Sequence, residues 1–146
     1  MNFTDFRCLI DTNIFVYALN PIDRKKSATA RKLLKMLAHN TNGIVSEQVI
    51  LELFNVLVCK LNMERAEARK LVSKLTHYEV VFPDDQTFRT TIDLSVLAKL
   101  AVWDAHVVAA AIQARAKYLL SEHLQDGQDF HGVVVKNPFS SKNVSE

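Results

Sequence analysis

The stretch at residues 8–17 constrains the fold most strongly. An apolar run at residues 8–10 ends abruptly at Asp11, and apolar residues resume after Thr12 and Asn13. This pattern predicts a buried strand, a sharp turn and the first turn of a helix. It therefore places a carboxylate at the carboxyl end of a strand, where open α/β sheets have their ligand sites.

Short apolar runs and amphipathic segments alternate along the rest of the chain. Further strands are predicted at residues 43–46, 78–82, 118–121 and 132–135, and helices at residues 13–19, 23–37, from Ser46 onward, 64–76, 85–100 and 105–116. This alternation predicts a three-layer α/β/α fold with a mainly parallel central sheet. Because crossovers between parallel strands are right-handed, the carboxyl ends of the strands share one edge, where acids distant in sequence can meet.

The composition predicts one globular domain over residues 1–146, with a polar tail from about residue 140. Apolar residues make up 49% and charged residues 23% of the chain, as in ordinary soluble domains. No run reaches the ~18 apolar residues of a membrane span, and no signal peptide is apparent. Cys8 and Cys59 lie in apolar runs without metal-ligand spacing. They are expected to be buried, reduced thiols in a cytoplasmic protein without a membrane partner.

Positive charge is concentrated in two parts of the chain, although the formal net charge is only +2. Basic residues crowd residues 24–35 and again residues 60–74. Two interpretations remain open at this point. These stretches are either solvated faces of two helices or a surface that follows a phosphate backbone.

Three carboxylates, Asp11, Glu52 and Asp104, are expected near the starts of helices, at junctions between strands and helices. Each also has a simple structural explanation. Asp11 and Asp104 suit helix N-caps, and Glu52 suits the exposed face of a helix. However, Thr12 or Asn13 could cap the first helix alone, so Asp11 is not needed for that role. Glu52 lies within an apolar stretch where an unpaired charge is costly. The three acids together are therefore more informative than any one of them.

Carboxylates that converge repel one another unless a cation lies between them. Oxygen ligands favour Mg²⁺ or Mn²⁺, and such ions activate water and stabilise charge on a phosphodiester. The basic stretches would restore attraction to nucleic acid, so this combination points to a nuclease. Phosphate-loop, dinucleotide-binding, nucleophile-elbow and zinc-protease motifs are all missing from the sequence. His106 and His131 are expected to be surface residues rather than ligands.

Several short motifs occur in order along nearly the whole chain. They are Leu-Ile-Asp-Thr-Asn at residues 9–13, Ser-Glu-Gln-Val-Ile-Leu-Glu-Leu-Phe-Asn-Val-Leu at residues 46–57, Trp-Asp-Ala at residues 103–105, Leu-Leu-Ser-Glu at residues 119–122 and Asn-Pro-Phe at residues 137–139. In this ordered set the chain resembles the PIN-domain family, specifically the VapC-like ribonuclease toxins of bacterial toxin–antitoxin pairs. The resemblance implies a Mg²⁺- or Mn²⁺-dependent endoribonuclease that forms a homodimer and is inhibited by a cognate antitoxin.

The resemblance also implies roles for individual residues. Asp11, Glu52 and Asp104 match the metal-binding acids of the family. Supporting hydrogen bonds near the metal are expected from Thr12, Asn13 or Ser121.

One position departs from the family pattern. In close relatives an aspartate follows the Leu-Leu-Ser-Glu segment, whereas this chain has His123. Imidazole binds Mn²⁺ but is a poor Mg²⁺ ligand. The change from aspartate to histidine also removes one negative charge, so it would weaken the binding of a second metal ion. Asp126 would replace the missing acid if its loop turned inward, but a simple Asp-Gly turn is the favoured explanation.

Three functions follow from these features. The leading hypothesis is an RNA phosphodiesterase that uses one or two metal ions held by Asp11, Glu52 and Asp104. The second is a non-enzymatic PIN-like module that binds RNA or an antitoxin, with His123 marking lost catalysis. A metal-dependent phosphatase is the third, but the Asp11 motif lacks the second aspartate of a DxD loop.

Overall fold

The computed structural model describes residues 2–141, so the last five residues of the predicted polar tail, 142–146, lie outside the described residues. The strands are β1 Cys8–Ile10, β2 Gly43–Ser46, β3 Glu79–Val81, β4 Tyr118–Leu120, β5 Asp129–Phe130 and β6 Val133–Lys136. The helices are α1 Thr12–Leu19, α2 Arg24–His39, α3 Glu47–Cys59, α4 Arg65–Ser73, α5 Asp85–Leu97 and α6 Val102–Gln113. Short 3₁₀ helices occupy Phe3–Asp5 and Lys74–His77.

The six strands form one sheet in the order β3-β2-β1-β4-β6-β5. All neighbouring pairs are parallel except β5 and β6, so the predicted mainly parallel sheet is confirmed. β1 lies at the centre, where Leu9 is in register with Ile44 on β2 and Leu119 on β4. β5 was not predicted, because its two residues are too short to show the periodicity of a strand.

Helices cover both faces of the sheet, which confirms the three-layer architecture. Successive residues of β1 point to opposite faces, so Ile10 packs in the core under α1 to α4, whereas Leu9 packs under α5 and α6. All three residues of β1 are buried, which explains their continuous apolar run. Alanines along α6, including Ala105 and Ala109, are buried against the sheet.

Three helices begin at a residue whose side chain caps the first turn. The side chains of Asp23, Ser46 and Asp84 accept hydrogen bonds from backbone N–H groups in the first turns of α2, α3 and α5, as cap residues do. The predicted helix at residues 64–76 is divided between α4 and a 3₁₀ turn. Among residues 2–141, no helix has both the length and the apolar character needed to span a membrane.

The connection between α5 and α6 differs from the prediction. α5 ends at Leu97 rather than residue 100, because Lys99 adopts a left-handed backbone conformation with a φ of 55°. α6 begins at Val102 with Ala101 at its N-cap, so the predicted cap role of Asp104 is wrong. The helix also ends at Gln113 rather than residue 116. A left-handed lysine leaves no signal in a sequence, whereas a glycine would have done so.

The two cysteines lie in different environments. Cys8 is buried in β1 as predicted, and burial raises the pKa of its thiol to about 12. Cys59 is exposed, so its predicted burial is wrong. It is the last residue of α3 and its Sγ donates to Asn55 Oδ1 at 3.3 Å on the outer side of the helix. Both thiols are free.

Candidate active site

Asp11 lies where β1 ends and α1 begins. It is 8% exposed and is the N-cap of α1, so its predicted capping role is correct. Its Oδ1 accepts a 2.7 Å hydrogen bond from the backbone N–H of Thr12, and its Oδ2 accepts a 2.8 Å hydrogen bond from Ser121 Oγ. Ser121 directly follows β4, so the carboxylate joins the ends of two neighbouring strands.

The charge on Asp11 is unfavourable in this position. Burial raises the pKa of the Asp11 carboxyl, and the hydrogen bonds from Ser121 and Thr12 oppose that rise without cancelling it. The neighbouring charge of His123 also lowers the pKa, whereas that of Glu52 raises it. A buried carboxylate with a raised pKa and a second carboxylate nearby is typical of functional sites.

Glu52 lies in the second turn of α3 and is half-buried. Its Oε2 accepts a 2.7 Å hydrogen bond from Thr12 Oγ1, and its Oε1 accepts a 2.6 Å hydrogen bond from Gln48 Nε2. Thr12 therefore donates its backbone N–H to Asp11 and its hydroxyl to Glu52. The structure brings these two predicted acids together, although 41 positions separate them in the sequence.

Asp104 lies in the first turn of α6 and is half-buried. It follows the connection between two helices, so its predicted place at a junction between a strand and a helix is wrong. Its neighbour Trp103 accepts a 3.2 Å hydrogen bond at its backbone carbonyl from Gln48 Nε2. Gln48, which also binds Glu52, thus joins α3 to the chain beside Asp104.

The predicted metal-ligand set is not assembled as a group. In the part of the chain that the structure describes, no three histidine, cysteine, aspartate or glutamate side chains lie together as ligands for a metal ion. Asp11 and Glu52 form a pair, and Asp104 is connected to that pair through Gln48 and the backbone of Trp103. The three-acid ligand set therefore stays a prediction.

Asn13 has an unusual environment for an amide. Its Oδ1 and Nδ2 are both buried without a hydrogen-bond partner among the described residues. Asn13 also lines a pocket of about 430 Å³, together with Glu52, Lys60 and His123, which we call the Lys60 pocket. A buried, unpaired amide is costly, so it marks a place where a ligand or water would be stabilising.

The segment after β4 contains the last two predicted residues. His123 is exposed on its side chain, and its backbone N–H donates to Ser121 Oγ at 3.1 Å. Asp126 is exposed, and its Oδ1 accepts a 2.8 Å hydrogen bond from the backbone N–H of Asn137. Gly127 has a φ of 87°, which agrees with the Asp-Gly turn favoured from the sequence.

Gln48 was not predicted from the sequence. A signal was available, because Gln48 and Glu52 are four residues apart on one helix and such pairs lie side by side. His106 was predicted to be a surface residue, whereas the ring is half-buried and its Nδ1 lies 3.0 Å from Thr91 Oγ1. That contact joins α5 to α6, and nothing in the local sequence predicts it.

The chain matches the model of a known protein family. The family model for the PIN domain matches residues 8–123, which include β1 to β4 and every predicted acid except Asp126. The chain belongs to the PIN domain family. A comparison of this PIN domain with curated proteins gave no significant match.

Solved structures share the fold of this PIN domain at low sequence identity. A toxin–antitoxin complex from Klebsiella pneumoniae is 22% identical with a TM-score of 0.65, covering 87% of this chain and 95% of the other. VapBC2 from Rickettsia felis, bound to a DNA fragment from its promoter, is 20% identical with a TM-score of 0.68, covering 89% and 97%. VapC20 from Mycobacterium tuberculosis, a toxin that cleaves the sarcin–ricin loop, is 17% identical with a TM-score of 0.65, covering 87% and 98%.

Proposed function

We propose that this PIN domain is a metal-dependent endoribonuclease of the VapC toxin type. The observation that carries the proposal is the hydrogen-bonded series from Ser121 through Asp11 and Thr12 to Glu52. It holds two carboxylates at the edge of the sheet where parallel strands end. Open α/β sheets bind their ligands at this edge.

The residues present fit a hard divalent cation. The donors are oxygen atoms, the burial of Asp11 disfavours its negative charge, and the amide of Asn13 is buried without a partner. A bound Mg²⁺ or Mn²⁺ would be held by Asp11, Glu52 and Asp104. Such an ion activates water and neutralises charge that develops on a phosphodiester.

The protein's own hydrogen bonds would orient these acids before substrate binds. Ser121 and Thr12 fix the two oxygens of Asp11, and Gln48 holds one oxygen of Glu52. Groups held in advance avoid reorganisation during the reaction. Lys60, in the pocket beside Glu52, would attract the RNA phosphates that the acids repel.

The proposal extends to partners and location. Two of the similar structures are VapBC or toxin–antitoxin complexes, and we infer that an antitoxin likewise neutralises this chain. The proposal also includes homodimerisation. A cytoplasmic location completes it, since the proposed substrate is cellular RNA.

The test is cleavage of structured RNA, with transfer RNA and a sarcin–ricin loop hairpin as substrates, in the presence of Mg²⁺ or Mn²⁺. Asp11→Asn, Glu52→Gln and Asp104→Asn should each lower the rate by about 100-fold or more, and chelation should abolish it. Glu67→Gln is the matched control, because Glu67 is exposed on α4. Equal cleavage by the parent and Asp11→Asn would contradict the proposal.

A second candidate is a PIN module that binds RNA or an antitoxin without cleaving. The family resemblance implies an acid at position 123, and the histidine found there favours this candidate. The discriminating variant is His123→Asp. If metal-dependent cleavage appeared only in this variant, the parent chain would be the binding module.

A further inference from the structure

A second pocket, of about 430 Å³, borders Glu52 on the side away from Lys60. We call it the Trp103 pocket, and it is lined by Glu47, Gln48, Leu51, Glu52, Trp103 and His106. It lies between the beginnings of α3 and α6. Glu52 therefore separates an aromatic pocket from a pocket that contains a lysine.

Trp103 is the chain's only tryptophan, and its side chain is unusually exposed. The residue is 66% exposed, and Leu51 across the pocket is 60% exposed. Large apolar side chains exposed together mark interaction sites rather than folding contacts. The next residue along the chain is Asp104, so any group that binds this indole lies beside a candidate metal ligand.

His106 stands against Trp103 in a fixed orientation. The two rings meet edge to face, with centroids 6.4 Å apart. Thr91 Oγ1 donates to the Thr87 carbonyl at 2.8 Å, so its single hydrogen is used. It must therefore accept from His106 Nδ1–H at 3.0 Å. In neutral His106 this leaves Nε2 as a hydrogen-bond acceptor.

The pocket is connected to the candidate active site through Gln48. Its Nε2 donates both to Glu52 Oε1 at 2.6 Å and to the backbone carbonyl of Trp103 at 3.2 Å. One side chain thus links the backbone of Trp103 to the carboxylate of Glu52. A molecule bound against Trp103 would be held in a defined register with Glu52.

We propose that the Trp103 pocket is a nucleobase-binding subsite for single-stranded RNA, a proposal that rests on the ribonuclease function above. The acidic rim of Glu47 and Glu52 repels phosphate, whereas an uncharged, flat base stacks on an exposed indole. The phosphate backbone would pass over Glu52 towards Lys60. The base flanking the cleaved bond would then lie on Trp103.

The chemistry of the rim selects among bases. His106 Nε2 and the Glu47 carboxylate are both acceptors. They match the exocyclic amino groups of adenine, cytosine and guanine better than the carbonyl-rich edge of uracil. The subsite should therefore bind a base with an amino group more tightly than uracil.

Intrinsic fluorescence tests the subsite without catalysis, because Trp103 is the only tryptophan. The test uses the Asp11→Asn chain with Mg²⁺ and short oligoribonucleotides. A fluorescently labelled form of each oligoribonucleotide reports binding independently by anisotropy. Binding should quench or shift the indole emission. A series of oligonucleotides, each with one abasic site at a different position, locates the stacked base. When the abasic site is at that position, the emission change should disappear and the oligonucleotide should bind about 10-fold more weakly. An oligonucleotide with uracil at that position should bind more weakly than one with cytosine.

Variants separate stacking from structural effects. In an otherwise parental chain, Trp103→Ala should raise KM about 10-fold and change kcat much less. Trp103→Phe should retain most of the affinity for RNA. His106→Asn can keep the bond to Thr91 but removes the acceptor at Nε2, and it should reduce the preference for cytosine over uracil. Phe88→Ala is the control, since Phe88 is an exposed aromatic residue outside the pocket.

The outcomes that overturn the proposal are distinct. If anisotropy shows RNA binding but the indole emission does not change, the subsite proposal fails. It also fails if Trp103→Ala binds RNA as tightly as the parent. In both cases the cleavage assay still decides the ribonuclease function. An emission that changes with protein concentration alone, and is insensitive to RNA, assigns the indole to contact with a second copy. If no RNA binds and none is cleaved, the ribonuclease proposal fails first and the subsite fails with it.

Discussion

Asp11 combines two roles in one side chain. Its carboxylate caps α1 through the Thr12 N–H and also accepts from Ser121 beside the neighbouring strand. Burial raises the pKa of this carboxyl despite both hydrogen bonds. The folded protein thus carries a carboxylate whose charged form is less favourable than that of an exposed aspartate. This is expected for a side chain placed for function rather than stability.

Asp11→Asn should make the protein more stable at neutral pH. Because the folded-state pKa is raised, the folded state retains a proton that the unfolded chain has lost. Stability therefore falls as pH rises from the unfolded pKa through the folded pKa. Asparagine removes this cost and should increase the free energy of unfolding by about 1 kcal/mol at pH 7. Urea unfolding between pH 4 and pH 8 measures the difference, which should shrink at low pH.

The same measurement with added Mg²⁺ or Mn²⁺ tests the role of the charge. The ion should raise the melting temperature of the parent and have little effect on Asp11→Asn. Asp93→Asn, at an exposed position on α5, controls for the removal of any surface charge. Lower stability of Asp11→Asn at pH 7 would show that its hydrogen bonds outweigh the burial of the charge.

At the scale of elements, Glu122 joins the segment after β4 to two helices. Its carboxylate accepts from Tyr17 on α1 at 2.6 Å and from Lys26 on α2. Phe139, beyond β6, meets the Tyr17 ring edge to face at 4.9 Å. Burial alone would raise the pKa of Glu122, but the hydrogen bonds from Lys26 and Tyr17 and the charge of Lys26 bring it below its ordinary value. This cluster holds the segment that contains His123.

Glu122→Gln should loosen that segment. The ion pair contributes stability above the unfolded pKa of Glu122, and this contribution is lost as pH falls through the lowered folded pKa. The pair is partly shielded from water, so the loss at pH 7 should be about 1 kcal/mol. Amide hydrogen exchange should become faster at residues 121–126.

The matched control for Glu122 is Glu79→Gln. Glu79 pairs with Arg7 at 2.7 Å, but both side chains are about half exposed. Exposed pairs contribute little, so stability and exchange should change less than in Glu122→Gln. If the two variants lost equal stability, the cluster around Glu122 would be an ordinary surface ion pair.

For the whole molecule, the arrangement of charge matters more than its sum. The formal net charge is +2, but basic α2 and α4 pack on the same face of the sheet as α1 and α3. That face includes Thr12 and Glu52. The opposite face carries α5 and α6. The basic stretches therefore lie in the same helical layer as Thr12 and Glu52, which favours a role in attracting phosphate.

Lys60→Gln should weaken RNA binding in a salt-dependent way. Each phosphate contact on a single strand contributes about 0.7 to the slope of log affinity against log salt, so losing one contact should reduce the slope by about that amount. Anisotropy titrations of the Asp11→Asn chain between low and moderate salt measure it. Lys117→Gln is the control, because Lys117 precedes β4 at the opposite edge of the sheet. An unchanged slope in Lys60→Gln would remove Lys60 from the RNA path.

Much of the fold could be predicted from the sequence because its signals are local. Buried strands appear as apolar runs, and Ser46 and Asp84 cap helices through neighbours within a few residues. Asp11 at the end of β1 was predicted in the same way. The break after α5 could not be predicted, since Lys99 adopts a left-handed conformation that glycine would normally signal.

The sequence by itself therefore determined the layered α/β architecture and which acids stand near the beginnings of helices. Only the tertiary structure decided which side chains meet. Thr12 reaches Glu52 across 40 positions, and Gln48 reaches Trp103 across 55. Such contacts depend on how parallel strands and their helices pack, and that geometry leaves no periodic mark in the chain. The physical reason is that hydrophobic periodicity and capping are local, whereas a site is assembled by packing between distant segments.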